Sequence, residues 1–133
     1  PVWMQGDAEI LQIACKNLLH NALTVLKEAP PPERRLRIQL DCGPGTIQLT
    51  VADSGPGLPS HEPRELLMNS ASRDGMGLGL LTVQAIATRH QGRLSLGRST
   101  DLGGAEVRLS FPAAMATNAG SDRAPRGAPA QHR

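Results

Sequence analysis

The chain has 133 residues, 39% of them apolar, which is enough for one domain with a core and too few for two. Its net charge is +2, and residues 1–112 carry eleven basic against eleven acidic side chains. The excess therefore sits in the tail, and nothing in the charge balance supports nucleic-acid binding. Cys15 and Cys42 lie in apolar patterns far from any metal-ligand spacing and read as buried, reduced thiols of an intracellular protein. No signal peptide or long apolar span is present. A start at Pro1 without an initiator Met reads as a fragment of something longer.

The first predicted element is a helix over residues 8–29, capped by Asp7 and stopped by Pro30-Pro31-Pro32. Leu11, Ala14, Cys15, Leu18, Ala22 and Val25 line one side, with Leu19 and Leu23 beside them. A narrow polar stripe carries Asn17, His20, Asn21 and Thr24. So apolar a helix is largely buried, and its stripe must face something polar.

RRLRIQLDC and TIQLTVA alternate around a GPG turn and predict an antiparallel hairpin with one buried face. Residues 58–75 show no sustained period and read as a loop with a short helix at 62–68. From Gly77 a second helix runs to a basic end at Arg89 and His90, with Gly92 as its C′ residue. RLSLG and AEVRLSF, joined by STDLGG, predict a second hairpin. After Pro112 the chain has almost nothing to bury, and residues 113–133 are expected to be a disordered tail. Helix, hairpin, loop, helix, hairpin is the order of an α+β two-layer sandwich, with helices on one face of a mixed, largely antiparallel sheet.

Three clusters can carry chemistry: Asn17 and Asn21 one turn apart, Asp53-x-Gly55-x-Gly57 at a strand exit, and Gly75-x-Gly77-x-Gly79 opening the second helix. Singly, each has a plain reading as a solvated stripe, an ordinary turn or a close helix–sheet approach. In this order they resemble the catalytic ATP-binding domain of sensor histidine kinases, in the superfamily of the gyrase, heat-shock-90 and MutL ATPases. LQIACKNLLHNAL resembles the family's N box, VADSGPGLP its first glycine box, GMGLGLLTVQAIATRHQGRLSL its second, and GGAEVRLSFP its closing strand. The match runs over about residues 2–112 and implies a catalytic domain over residues 1–112 with a Bergerat-type ATP-binding fold.

The resemblance assigns Asp53 as acceptor for adenine's amino group, a role that a carboxylate at a strand exit suits. Gly55 and Gly57 let backbone and base approach without a Cβ between them. Asn21 is assigned as the Mg²⁺ ligand, Asn17 as its neighbour near the phosphates, and both as catalytic. Gly75, Gly77 and Gly79, with Leu78 among them, would offer N–H groups to phosphate at a helix N-terminus, and Arg73 would add lid charge. ATP and Mg²⁺ are the implied cofactors. In the superfamily's hydrolases the first N-box position is a glutamate that activates water; Asn17 cannot take a proton near neutral pH, so transfer to a protein acceptor fits better than hydrolysis. The implied acceptor is a histidine on an upstream dimerisation domain of the same protein, which passes the phosphoryl group to a response regulator. The implied location is cytoplasmic, within a parent that is membrane-anchored or free, and this fragment does not itself span a membrane.

Of the four histidines none reads as the acceptor. His61 lies between the glycine boxes with Pro63 two residues on, His90 reads as a helix C-terminal cation, His132 belongs to the tail, and His20 either touches phosphate or fills the stripe. Two positions depart from the family pattern. Thr24 stands where many members have a basic residue that reaches the phosphates, and Leu66, Leu67 and Met68 stand where the lid is usually aromatic. These departures keep a second reading open, a nucleotide-binding regulatory module or pseudokinase. An anti-sigma-type serine kinase is a third, and a dinucleotide-binding fold is weaker, since no parallel β-α-β unit follows the glycines.

Overall fold

The computed structural model describes residues 2–58, Glu65 and residues 76–114, the side chains of residues 76–78 excepted. The predicted 62–68 helix, the lid residue Arg73, Gly75, His61 and the tail beyond Ala114 lie outside the described residues, apart from Glu65, which is helical.

Helix α1 spans Ala8–Leu26. Asp7 caps it as predicted, its Oδ1 accepting from the N–H groups of Glu9 at 3.0 Å and Ile10 at 3.3 Å. The helix ends three residues before the predicted boundary. Lys27, Glu28 and Ala29 donate three positions back to Thr24, Val25 and Leu26, which tightens the last turn ahead of the prolines. Arg34 then reaches back to the helix end, donating to the carbonyls of Ala29 at 2.8 Å and Lys27 at 3.1 Å. A 3₁₀ turn at Pro31–Glu33 leads into the sheet.

Strands β1 (Leu36–Gly43) and β2 (Thr46–Asp53) form the first hairpin, with Gly45 at φ +80 in the turn. Helix α2 spans Met76–Arg89, and β3 (Arg93–Arg98) and β4 (Ala105–Pro112) form the second hairpin. The sheet order is β1-β2-β4-β3, and all three pairings are antiparallel. The register places Ile38 opposite Val51 and Val51 opposite Val107, and Leu40, Leu49 and Leu109 form the next row. α1 packs over β2 and against α2, while α2 covers β3 and β4. The core between the layers joins Ala14, Leu18 and Ala22 of α1 to Leu80, Val83 and Ile86 of α2 and to Val51, Leu94, Leu109 and Phe111 of the sheet. This is the two-layer α+β sandwich read from the sequence.

Expectations about the first hairpin, the cysteines and the end of the second helix are corrected. The first hairpin does not bury one whole face: Ile38 is 54% and Leu40 63% exposed, because α1 lies over β2 and leaves the edge strand jutting past it. For the same reason Cys42 is exposed rather than buried. Cys15 is half-buried, and its burial pushes the thiol's pKa up, which keeps it protonated.

Two further corrections concern the end of α2. Gln91, not Gly92, takes the left-handed C′ position, with φ +59. The Gln91 N–H donates to Thr88 and the Gly92 N–H to Ala87, the paired bonds of a Schellman motif. Gly92 is required for space instead: a Cβ there would lie 2.6 Å from the Phe111 ring and overlap the Ser110 carbonyl. Nor is His90 a helix-end cation. It is buried, its Nδ1 lies 2.9 Å from Ile86 O, and its Nε2 accepts the Asp7 N–H at 3.1 Å, so the ring is spent on the fold rather than on the open helix end.

Candidate functional site

The three motifs converge on one end of the sandwich. β2 delivers Asp53 at its last residue, where the side chain is only 3% exposed. The chain beyond it is held by Ser54, whose Oγ donates to Glu33 O at 2.7 Å and accepts the Arg35 N–H at 2.8 Å. Asp53 Oδ1 accepts two backbone N–H groups, from Gly55 at 2.8 Å and from Ala105 at 3.2 Å. The Gly104 N–H donates to the Asp53 carbonyl at 3.0 Å. Both hydrogen bonds that described residues make to the carboxylate end on Oδ1, so Oδ2 is the oxygen available to a donor on a ligand.

Asp53 opens onto a narrow, largely apolar cavity. One wall comes from α1, through Leu18, Ala22 and Val25; the floor is Val51, Ala105 and Val107; Leu58 and Leu80 close the far side. Two polar side chains, Asp53 and Asn21, interrupt this lining. An apolar space with one buried carboxylate suits a heteroaromatic ring that carries an amino donor. Gly57, at φ +89, lines the mouth. A Cβ on Gly55 would press to 3.2 Å from Asp53 Oδ1.

Asn17 and Asn21 face the first turn of α2. At Gly79 a Cβ would sit 3.3 Å from Asn21 Oδ1 and 3.4 Å from both Asn17 Oδ1 and Asn21 Nδ2, so both amides border the gap that the absent side chain leaves. Asn17 Nδ2 is turned away and donates to Ile13 O at 3.1 Å. Asn21 Nδ2 is buried and has no hydrogen-bond partner among the described residues. An orphaned buried amide costs about 1–3 kcal/mol, and a ligand acceptor beside it would satisfy the donor. Two neutral hard oxygens beside a helix start are a donor set that fits a magnesium–phosphate group. Gly77 and Leu78 belong to that first turn.

Among the other predicted positions, His20 is exposed and Thr24 half-buried. The residues that sequence reasoning missed are the apolar ones: Leu18, Ala22, Val25, Leu58, Leu80, Ala105 and Val107. Leu18, Ala22 and Val25 share the helix face that carries Asn21, which was the available signal; for the strand residues only the fold supplies it.

The chain matches the family described as "Histidine kinase-, DNA gyrase B-, and HSP90-like ATPase" over residues 6–115. It is 36% identical over 115 residues to the C4-dicarboxylate transport sensor protein DctB of Pseudomonas aeruginosa, covering 82% of this chain and 18% of that protein. Among solved structures it resembles the mycobacterial sensor histidine kinase MprB at 30% identity and TM-score 0.67, over 85% of this chain and 76% of that one. It also resembles full-length ShkA in complex with AMPPNP, at 26% identity and TM-score 0.62, over 82% of this chain and 22% of that one. The chain spans about a fifth of the length of the curated relative DctB. No helix among the described residues is long and apolar enough to cross a membrane. The chain belongs to the histidine kinase-, DNA gyrase B- and HSP90-like ATPase family, as an ATP-binding domain of the sensor histidine kinase type.

Proposed function

We propose that this domain binds Mg-ATP and donates its γ-phosphoryl group to a histidine on an upstream dimerisation domain of the same protein, for relay to a response regulator. The observation that carries this reading is that Asp53 and Asn21 line one apolar cavity, with Asn17 and Gly79 beside Asn21. Adenine would enter the cavity with its amino group on Asp53 Oδ2. Asn21 Oδ1 would hold the magnesium ion, and the α2 N-terminus with Gly77 and Gly79 would take the phosphates. Gly75, Arg73 and Leu78 complete the proposed set by their place in the sequence. The ion would neutralise phosphate charge as the bond to the β-phosphate oxygen breaks and the acceptor nitrogen takes the phosphoryl group. Asn17 has no basic atom to activate water, which favours transfer over hydrolysis. Such a domain works where ATP is, on the cytoplasmic side.

Thr24 supports a second reading, a pseudokinase that binds nucleotide without useful transfer, because no cation stands at that position. The test is calorimetric titration with ATP, with and without Mg²⁺, for the wild-type chain and Asp53→Asn. Labelled ATP and a separately made phosphoacceptor domain follow. Magnesium-enhanced binding that the substitution abolishes, followed by labelling of the histidine, is the expected result. Binding without labelling moves the assignment to the pseudokinase, and absence of binding at millimolar ATP overturns the pocket itself.

A further inference from the structure

The turn between β3 and β4 does more than connect strands. Ser99, at its start, is fully buried although its side chain is polar. Its N–H donates to Gly104 O at 2.8 Å, and its carbonyl accepts the Gly103 N–H at 2.7 Å. Its Oγ accepts the Leu102 N–H at 3.1 Å and donates to Asp101 Oδ1 at 3.0 Å. Gly103 takes φ +90, which closes the turn. From the edge strand β1, Arg37 reaches across the outer face and pairs with Asp101. The Ser99 backbone and hydroxyl are thus tied, and the next two N–H groups, of Gly104 and Ala105, both end on Asp53.

Gly104 stands against that carboxylate. A Cβ at this position would overlap Asp53 Oδ1 and lie 2.5 Å from the Asp53 carbonyl oxygen and 2.6 Å from the Gly55 nitrogen. All three are backbone or tightly held atoms, so no flexible side chain can yield. The orientation of the carboxylate therefore depends on a turn some fifty positions away as well as on its own strand.

We infer that the β3–β4 turn is the positioning element for adenine selectivity, with Gly104 and Ser99 acting through Asp53 rather than on the nucleotide. This rests on the reading that Asp53 receives the adenine amino group. Two N–H donors fix the plane of the carboxylate and occupy Oδ1, so Oδ2 presents its lone pairs in one direction. A 6-amino purine can donate there; a purine without that group cannot. Tilting the carboxylate should therefore remove the advantage of the amino group and leave the apolar and phosphate contacts alone.

The experiment measures dissociation constants of the full chain for ATP and for purine riboside triphosphate, which lacks the 6-amino group. Wild type, Gly104→Ala and Ser99→Ala are compared. Wild type should prefer ATP. Gly104→Ala should lose about tenfold in ATP affinity, the scale of one hydrogen bond to a charged group, with the analogue unchanged within about twofold. Ser99→Ala should shift the ratio in the same direction by less. Variants that weaken both nucleotides alike, or neither, overturn the inference, because a purely structural role would not separate the two ligands. A wild type that binds both equally overturns the underlying assignment of Asp53 instead. If Gly104→Ala does not fold, Ser99→Ala decides: an unchanged ratio sinks the inference.

Discussion

The backbone N–H of Asp7 donates to His90 Nε2 at 3.1 Å, joining the start of α1 to the end of α2 across 83 positions. The ring also meets Phe111 edge-on, with centroids 6.1 Å apart. His90 is therefore a strut between the two helices that wall the cavity. His90→Phe keeps the bulk and the aromatic contact but offers no acceptor, which strands the Asp7 N–H. The expected loss is about 1–3 kcal/mol in urea denaturation. An unchanged midpoint would show that water replaces the ring nitrogen at no cost.

The C-terminus of α2 makes two opposite predictions on adjacent residues. Gln91 holds a left-handed backbone that glycine adopts freely, so Gln91→Gly should stabilise the domain by up to ~1 kcal/mol. Gly92 lies against β4, so Gly92→Ala must push the strand away and should destabilise it by about 1–3 kcal/mol. Thermal melts of the two variants check the pair, and shifts of the same sign would contradict the assignment of C′ to Gln91.

Local patterns in the sequence were enough for the Asp7 cap, both hairpins and the polar stripe of α1, because each depends on neighbours a few positions apart. What stayed hidden depends on distant partners. Alternation in β1 marks an apolar face but not whether a helix covers it, so Ile38, Leu40 and Cys42 were expected inside. His90 beside Arg89 looks like a cation at a helix end until Asp7 appears opposite its ring. Leu18, Ala22 and Val25 read as core, and only the cavity distinguishes a wall from a core contact. Gly103-Gly104 looked like turn punctuation, since the closeness of Gly104 to Asp53 arises where β2 and β4 pair.

The outer face carries a pH-dependent tie. Asp101 is held below the ordinary carboxylate range, first by its hydrogen bond to the Arg37 guanidinium and then by the Ser99 hydroxyl. A carboxyl whose folded pKa is depressed stabilises the fold above its ordinary value of 3.8 and loses that contribution as pH falls through the lower folded value. Asp101→Asn should therefore lower the urea midpoint slightly at neutral pH, and the gap to wild type should close as the solution is acidified below that range. The effect is small, since the carboxylate is solvent-exposed and added salt screens it. A gap that widens on acidification would contradict the pairing with Arg37.

The space at Gly79 makes the most direct prediction for the phosphate end of the site. A methyl group there meets the amide oxygens of Asn17 and Asn21 at 3.4 and 3.3 Å, so Gly79→Ala asks them to shift by only a few tenths of an ångström. Gly79→Val adds two methyls and fills the gap. Asn21→Ala removes the orphaned amide and relieves the buried donor. Gly79→Val should weaken Mg-ATP binding more than about tenfold, Gly79→Ala only modestly. Asn21→Ala should abolish the magnesium enhancement while leaving the domain as stable as wild type or more so, because it deletes a buried donor that has no described partner. Calorimetry with and without Mg²⁺, beside a thermal melt of each variant, separates these outcomes. Loss of stability in Asn21→Ala together with intact magnesium enhancement would assign the residue to the scaffold and move the metal site elsewhere.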